Sequence, residues 1–268
     1  MACTRDEKNL FAEERRQTIV DTVTRDSRAT VSDLAERFGV STATLRNDLR
    51  DLEASGLLRR THGGAVALEV VAHEHSADVA LGEHSGAKAS IGAAAAGFVH
   101  DGDTIFCDSG STTLELVKAL PALSNITLIT NDFKIALAAE MGLADPTIIV
   151  LGGTVRNGFH YAMDSSTIDT VSLLSATTSF IAASAFSFDR GFSVHTLELA
   201  NYKRKMIARS EKRIALLDSS KMGSFTTATF AQLTDFDVFV TDGDMAQRDR
   251  ERIKQSAPNL DLRIAEDF

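Results

Sequence analysis

Cysteine and long apolar runs are both scarce in this 268-residue chain, and each shortage removes a class of protein from consideration. Only two cysteines occur, Cys3 and Cys107, far apart and in different surroundings. Neither a disulfide framework nor a zinc-binding spacing can be built from them, which fits a reducing compartment, and we expect a cytoplasmic protein. The first twenty residues are charged and lack an apolar core, so no signal peptide is expected. No apolar run approaches the roughly 18 residues that a membrane-spanning helix needs. Ala93–Ala96 forms helix readily but is too short and too small-sided to insert. Internal repeats and low-complexity tracts are also missing. What remains is an ordinary folding composition, 44% hydrophobic and 24% charged. The length suits one or two domains with a sizeable core.

The net charge of -9 argues at first against a nucleic-acid partner, but the acidity is unevenly placed. Residues 1–68 carry 11 basic and 11 acidic side chains, whereas the remainder carries 17 and 26. The excess therefore belongs wholly to the second part and does not exclude DNA contact by the first. A neutral first part implies modest non-specific affinity per protomer, hence reliance on dimerisation.

Within that first part, residues 31–64 read VSDLAERFGVSTATLRNDLRDLEASGLLRRTHGG. Asn9 can cap a preceding helix over Leu10–Val23, with Ile19, Val20 and Val23 apolar. Thr30 with Asp33 resembles a capping box for a short helix whose buried stripe is Leu34, Ala35 and Phe38. Gly39 supplies the left-handed turn that ends it, and Ser41 caps the next helix. There Leu45, Leu49 and Leu52 recur at i, i+4 and i+7 and face the core. Gly56 stops that helix. A short basic hairpin follows, anchored by Leu57 and Leu58, with Gly63 and Gly64 giving its tight turn. Helix, turn, helix and basic hairpin in this order describe a winged helix-turn-helix, whose second helix lies in the DNA major groove. Arg46 suits guanine O6/N7 and Asn47 suits adenine N6/N7. Ser41, Thr42, Thr44 and Arg50 lie around the same helix, and Thr42 and Thr44 suit phosphates or thymine methyls. Arg59, Arg60, His62 and Gly63 form the positive wing. The bland alternative for this module is a protein-interaction domain.

We divide the chain into a DNA-binding domain over 1–68, a linker over 69–87 and an α/β domain over 88–268. The linker has no clear period. Its histidines, with His73, His75 and His84 considered as a set, lack metal-site spacing, and no metal is expected. Beyond it, apolar strands alternate with amphipathic helices. Strands are expected at Thr104–Cys107, Ile126–Thr130, Thr147–Leu151, Ser179–Ala183, Arg213–Leu217 and Val238–Thr241. Helices are expected near Lys88–Val99, Thr112–Leu120, Phe133–Met141, Leu197–Ser210 and Met245–Ser256. This alternation indicates a mainly parallel, doubly wound sheet. Phe186, Phe188 and Phe192 read as core or interface, and Cys107 as a small buried strand residue.

Such sheets bind ligands at the carboxyl ends of their strands. Asp108, Ser109, Gly110, Ser111, Thr112 and Thr113 follow one strand and open a helix. There a glycine admits an anion, and amides and hydroxyls surround it at the positive helix end. The same residue types also favour an ordinary strand–helix turn. Thr130, Asn131, Gly152, Gly153 and Asp242 stand at other strand ends of the same edge. Lys203 and Lys221 are the basic residues that complete the set. Lys221 is the stronger of the two because it lies just past a strand end.

With these segments in view, the chain resembles the DeoR/GlpR family of bacterial transcriptional regulators from about Glu13 to about Ala265. LRRTHGG, DSGSTT, LGGTVR and LLDSSKMG carry the likeness, and TDGD is a weaker match. The resemblance implies a repressor whose second domain is similar to the ribose-5-phosphate isomerase and glucosamine-phosphate deaminase fold. It implies sensing of a phosphorylated sugar or derivative without catalysis. Four departures from the family pattern stand out. Asn47 replaces a frequent second arginine, Met163-Asp164 replaces a Gly-Pro pair, Ala182–Ala185 replaces glycines, and Leu199 stands where a glutamate is usual. They are expected to alter the operator at Asn47 and to narrow or depolarise the pocket elsewhere.

The expected function is a DNA-binding transcriptional regulator, a repressor of a carbohydrate-metabolism operon. It would act as a homodimer or homotetramer on double-stranded operator DNA, without cofactor or membrane. The alternative is a sugar-phosphate isomerase or deaminase with an appended DNA module. Such chemistry needs a placed base; the resemblance implies that the isomerases carry carboxylates after the central strand, where this chain reads Ala182-Ala183-Ser184-Ala185. A third reading is a protein-binding adaptor.

Overall fold

The structure is a computed structural model that describes residues 12–26, 28–66, 70–72, 74–120 and 123–266. The chain divides into two compact units, Met1–Val70 and Val71–Phe268.

The first unit contains helices α1 (Ala12–Asp26), α2 (Val31–Phe38) and α3 (Thr42–Ala54). Strand β1 (Arg28–Thr30) precedes α2, and a hairpin of β2 (Arg59–Thr61) and β3 (Gly64–Val66) follows α3. The three strands form one sheet in the order β1-β3-β2. The helix boundaries follow from local chemistry. Thr30 Oγ1 accepts from the Asp33 amide at 3.1 Å. Only this half of the expected capping box is formed. Gly39 adopts φ 64°, ψ 30° and ends α2. Ser41 Oγ then caps α3 by accepting from the Thr44 amide at 3.1 Å. Ile19, Val23, Leu34, Phe38, Leu45, Leu49, Leu52 and Leu58 make the core. The position of Asn9 lies outside the described residues.

Two hairpin expectations are corrected. Leu58 anchors the hairpin at 2% exposure, but Leu57 points outward at 47%. Gly64 is demanded by crowding instead of by the turn: a Cβ there would lie 2.0 Å from the Ala29 carbonyl oxygen on the adjoining strand.

Strand β4 (Val70–Val71) straddles the division between the units, and helices α4 (Ala77–Gly82) and α5 (Ser85–Ala96) follow in the second. Most of the segment expected to be a linker is therefore structured. There follow β5 (Thr104–Cys107), α6 (Ser111–Ala119), β6 (Thr127–Thr130), α7 (Phe133–Gly142), β7 (Thr147–Val150), α8 (Ser165–Leu173) and β8 (Ala176–Ala182). The chain continues through β9 (Ala185–Ser187), β10 (Gly191–Val194), α9 (Leu197–Ala208), β11 (Ser210–Leu216), β12 (Ser224–Phe225) and β13 (Ala228–Ala231). It ends with β14 (Val238–Asp242), α10 (Gln247–Ser256) and β15 (Asp261–Ala265).

Seven strands form one sheet in the order β15-β14-β11-β8-β5-β6-β7, with every pair parallel. Successive residues alternate between its faces. Phe106, Ile129, Ile181, Ala215 and Phe239 pack under α8, α9 and α10 through Val171, Ala200, Met206 and Ile253. Ile105, Cys107, Leu128, Phe180 and Ile214 pack under α5, α6 and α7 through Ile91, Leu116 and Ile135. The sheet is thus doubly wound, as its apolar strands imply. From β5 the chain winds outward to β7 and then returns to β8 on the other side. The direction of winding therefore reverses between β5 and β8, and there a doubly wound sheet opens its ligand crevice.

A second, antiparallel sheet has the order β13-β10-β9 and was not anticipated. Its Phe186 and Phe192 are buried, with ring centroids 4.6 Å apart, which makes them core residues as expected. Helix α8 also escaped the periodicity analysis because SSTIDTVSL is rich in Ser, Thr and β-branched residues. Its signal was the Asp164–Thr167 capping box that starts it. Among the described residues no helix is long and apolar enough to cross a membrane.

The crowding at Gly64 generates a stability expectation. Gly64→Ala should destabilise the first unit by about 1–3 kcal/mol. Chemical denaturation checks this against Gly63→Ala, where an added Cβ meets open space and should cost less.

Candidate functional site

The surface of α3 and the hairpin presents the whole set of sequence-predicted DNA residues. Ser41, Thr42, Arg46, Asn47, Arg50, Arg59, Arg60, His62 and Gly63 are exposed, and Thr44 is half-buried. Ser41 and Thr44 are bound to each other, with their hydroxyls 2.9 Å apart. Arg60 lies 3.8 Å from Glu53 and donates its amide to the same carboxylate at 2.8 Å, which ties the hairpin to α3. The buried face of α3 holds a charge that pattern reading missed. Asp48 is 3% exposed and accepts from Arg15 Nε at 2.8 Å and Arg16 Nε at 2.9 Å. Arg16 also reaches Asp51 at 2.6 Å. This two-arginine clamp fixes the angle at which α1 holds α3. Asp48 thereby sets where Arg46 and Asn47 point without facing solvent itself.

The second candidate cluster lies along the carboxyl edge of the large sheet, at the point where the winding reverses. Asp108 follows β5 and is fully buried. Its Oδ2 accepts from the Ala182 amide at the end of β8, at 3.0 Å, and from Lys203 Nζ on α9. One carboxylate therefore joins three elements. Burial pushes the Asp108 carboxyl up, and the Lys203 ammonium opposes that rise. Burial equally pushes Lys203 down, with Asp108 holding it up.

Around this pair the predicted residues sort by access. Thr112, Thr113, Thr130, Asn131, Lys203 and Asp242 are buried, while Ser109, Gly110, Ser111, Gly152, Gly153 and Lys221 reach the surface to varying degrees. Thr113 Oγ1 donates within its own turn, 2.7 Å from the Asp108 carbonyl. Asn131 donates to the Ala162 carbonyl at 2.9 Å and holds the 152–163 loop. Asp242 accepts from the Ser219 amide at 2.6 Å and hydroxyl at 2.7 Å, which shapes the turn carrying Lys221. Lys221 lies 3.3 Å from Asp218 and 3.5 Å from the Ala183 carbonyl. Gly110, at the start of α6, has φ 150°, and α6 has no side-chain cap. The Gly110 amide itself donates to the Asp132 carboxylate, while no side chain caps the amides that follow it in α6, the groups with which helix N-termini bind anions.

Several residues of this edge were not anticipated. Asp132 caps α7 by accepting from the Lys134 and Ile135 amides at 2.8 and 3.1 Å. Burial pushes its carboxyl up. Lys88 is 2% exposed and donates to the carbonyls of Ala80 and Glu83. Burial lowers its pKa, and the charge of Lys221 lowers it further. Tyr202 is fully buried beside Lys203, and desolvation raises its hydroxyl well above the usual value, helped by the charge of Asp108. Asp108 Oδ1, Asn131 Oδ1 and the Tyr202 hydroxyl are buried without a hydrogen-bond partner. Such groups are rare in native interiors. Their residue types are plain in the sequence, but their burial is not.

The four departures from the family pattern have definite places. Asn47 is exposed on α3. Ala182, Ala183 and Ala185 are buried, and the Ala182 methyl lies 3.7 Å from where a Gly110 Cβ would stand. Leu199 is buried at 8%. Asp164 starts α8, accepts from the Ser166 and Thr167 amides, and holds the Thr154 amide at 3.1 Å. Gly153, at φ 136°, admits this packing, since a Cβ would lie 2.6 Å from Thr167 Oγ1.

The loops of this edge also grip residues 74–88. Arg156 makes a two-pronged contact with Glu74 at 2.6 and 2.6 Å, while its guanidinium stacks 3.9 Å above the Phe159 ring. Lys134 at 2.9 Å and His160 at 3.1 Å both hold Asp78. His75 pairs with Glu83 at 2.8 Å. His73 lies outside the described residues. Among the described residues no group of His, Cys, Asp or Glu could hold a metal ion.

A winged helix-turn-helix followed by a doubly wound sheet with a polar strand edge defines a DNA-binding regulator with a sensor domain. Comparison with known proteins agrees: residues 15–71 match the DeoR-like helix-turn-helix domain, and residues 83–243 match the DeoR C terminal sensor domain. The chain belongs to the DeoR family. It is 29% identical to the HTH-type transcriptional regulator GlpR of Haloferax volcanii, over 92% of this chain and 96% of that one. It is 32% identical to the HTH-type transcriptional repressor GlcR of Bacillus subtilis, over 87% of this chain and 89% of that one. Among solved structures, ribose 5 phosphate isomerase A from Neisseria gonorrhoeae aligns at a TM-score of 0.37 and 18% identity, covering 51% of this chain and 53% of that one.

The Asp108–Lys203 pair makes a pH-dependent demand. Lys203→Ala leaves a buried carboxylate without its cation and should cost about 3–5 kcal/mol near neutral pH. The folded-state pKa of Asp108 is raised, and without Lys203 it rises further. The variant's folded state therefore binds a proton that its unfolded state has released, and its stability falls as pH climbs above about 4. Urea titrations at several pH values should show the deficit shrinking towards pH 4. A constant deficit would mean that Asp108 is not the group left uncompensated.

Proposed function

We propose that this DeoR-family regulator is a repressor of a carbohydrate-metabolism operon, controlled by a phosphorylated sugar or related anionic metabolite. One observation carries the effector reading: at the reversal point the uncapped start of α6 faces outward, and a half-exposed lysine, Lys221, stands on the same edge. In this reading the Ser111 amide, Ser109 and Lys221 touch the effector beside Gly110, with Gly152 and Gly153 at the rim. Asp108, Thr112, Thr113, Thr130, Asn131, Lys203 and Asp242 hold these groups in place.

In the first unit, Arg46 and Asn47 read base edges and Arg50 joins the phosphate contacts. Ser41, Thr42 and Thr44 sit over the backbone, and Arg59, Arg60, His62 and Gly63 supply the wing. Two copies, as a homodimer or within a homotetramer, engage two half-sites of double-stranded operator DNA. The effector controls repression only by binding the DNA-competent and DNA-incompetent arrangements with different affinity.

The commitments of the edge carboxylates support sensing without turnover. Asp108 is bound to Lys203, Asp132 to the amides of α7, Asp218 to Lys221, and Asp242 to Ser219. Each is held by partners where an isomerase would need a base free to reach its substrate.

Two measurements test the proposal. Arg46→Ala should abolish operator binding in a gel-shift assay while the circular dichroism spectrum stays unchanged; retained affinity would remove Arg46 from the interface. Screening sugar phosphates, sugars and sugar acids by thermal shift should give a hit worth about 2.7 kcal/mol at a hundredfold excess over Kd. That shift should collapse in Lys221→Ala. An equal shift in the variant would move the effector elsewhere, and turnover of ribose-5-phosphate would favour the enzymatic reading.

A further inference from the structure

The two edges of the large sheet are finished differently. At one edge, β15 carries Asp261 and Arg263, which pair at 2.8 Å, and charged edge residues of this kind discourage further strand addition. At the other edge, β7 reads Thr147-Ile148-Ile149-Val150 without a charge, and among the described residues no strand pairs with its outer side. Val150 is 46% exposed. Beside it, α7 turns Ile135 and Ala139 to the core, yet Phe133, Leu137 and Met141 are 41%, 55% and 79% exposed. Their i, i+4, i+8 spacing makes one continuous apolar stripe along the helix.

The stripe is self-complementary. If α7 meets a second α7 antiparallel about Leu137, then Phe133 faces Met141, and Lys134 faces Glu140. The two apolar pairs and two opposite-charge pairs form from one sequence read in both directions. Antiparallel pairing of β7 with a second β7 needs a two-fold axis perpendicular to the sheet, and the same axis sets the two α7 helices side by side on one face. A single operation thus satisfies an open backbone edge, an apolar stripe and a charge pattern together, as isologous contacts do. We infer that α7 and the free edge of β7 form a two-fold interface with a second copy of this chain, which extends the large sheet across the pair.

Analytical ultracentrifugation of the full chain tests this without reference to DNA or effector. Leu137→Asp places two carboxylates against each other on the axis and should halve the assembly or raise its dissociation constant at least about tenfold, equal to about 1.4 kcal/mol. Glu140→Lys sets like charges against each other and should weaken association. Because Lys134 also holds Asp78, the informative comparison is the double change Lys134→Glu with Glu140→Lys, which restores opposite charges and should restore association. Thermal unfolding of each variant establishes that these exposed substitutions leave the fold intact. An unchanged mass for Leu137→Asp, or a charge swap no better than Glu140→Lys alone, would overturn the inference. A lowered unfolding temperature at constant mass would assign the face to another part of the same chain.

Discussion

A charge buried at the reversal point of the sheet is the constraint on which the sensor edge depends. Asp108 cannot be solvated where it stands, so its stability rests on Lys203 and on the Ala182 amide. Those partners come from α9 and β8, and Asp108 itself from the end of β5. The pair fixes the mutual positions of three elements whose ends outline the crevice. Replacing it by apolar residues would often be neutral for stability, whereas removing one partner is not. The geometric reason to keep it is that an ion pair tolerates only one arrangement of its strands and helix. The unpartnered Asp108 Oδ1, Asn131 Oδ1 and Tyr202 hydroxyl nearby add to the polarity of that floor.

The first unit uses the same device in a smaller core. Asp48 is held by two arginines of α1, so the helix that presents Arg46 is set by buried charge as well as by Leu45 and Leu49. In both units residues nearest the solvent take their direction from buried charged groups beneath them.

Much of this was legible in the sequence, and the limits have physical causes. The helix-turn-helix was readable because its signals are local: the Gly39 turn, the Ser41 cap and the i, i+4 leucines. The strands of the large sheet were readable from their β-branched runs, and the strand-edge motifs from their place after them. Access was not readable. Nothing in DSGSTT separates Ser109, half open, from Thr113, which folds back on the Asp108 carbonyl. Pairs distant in sequence, such as Arg15 with Asp48, leave no period to detect, and Lys88 looked like one more helical lysine. Leu57 and Leu58 were equivalent by composition, and only the register of the hairpin separates them. The Gly64 requirement likewise comes from a neighbouring strand, which sequence spacing does not reveal.

The grip of Arg156 on Glu74 has a consequence of its own. Arg156 shares a loop with Gly152 and Gly153, so any shift of that rim is transmitted to residue 74 through two short charged bonds. The segment that leads into the sensor is therefore moored by charge at Glu74 and again at Asp78, beside the backbone bonds of Ala72 to Phe225 and Ala77 to Gly158. Surface ion pairs of this kind weaken as ionic strength rises. Protein–phosphate contacts on DNA weaken with the same variable. Salt thus acts on this chain in two places at once, loosening the moorings of residues 74–78 as it releases the operator.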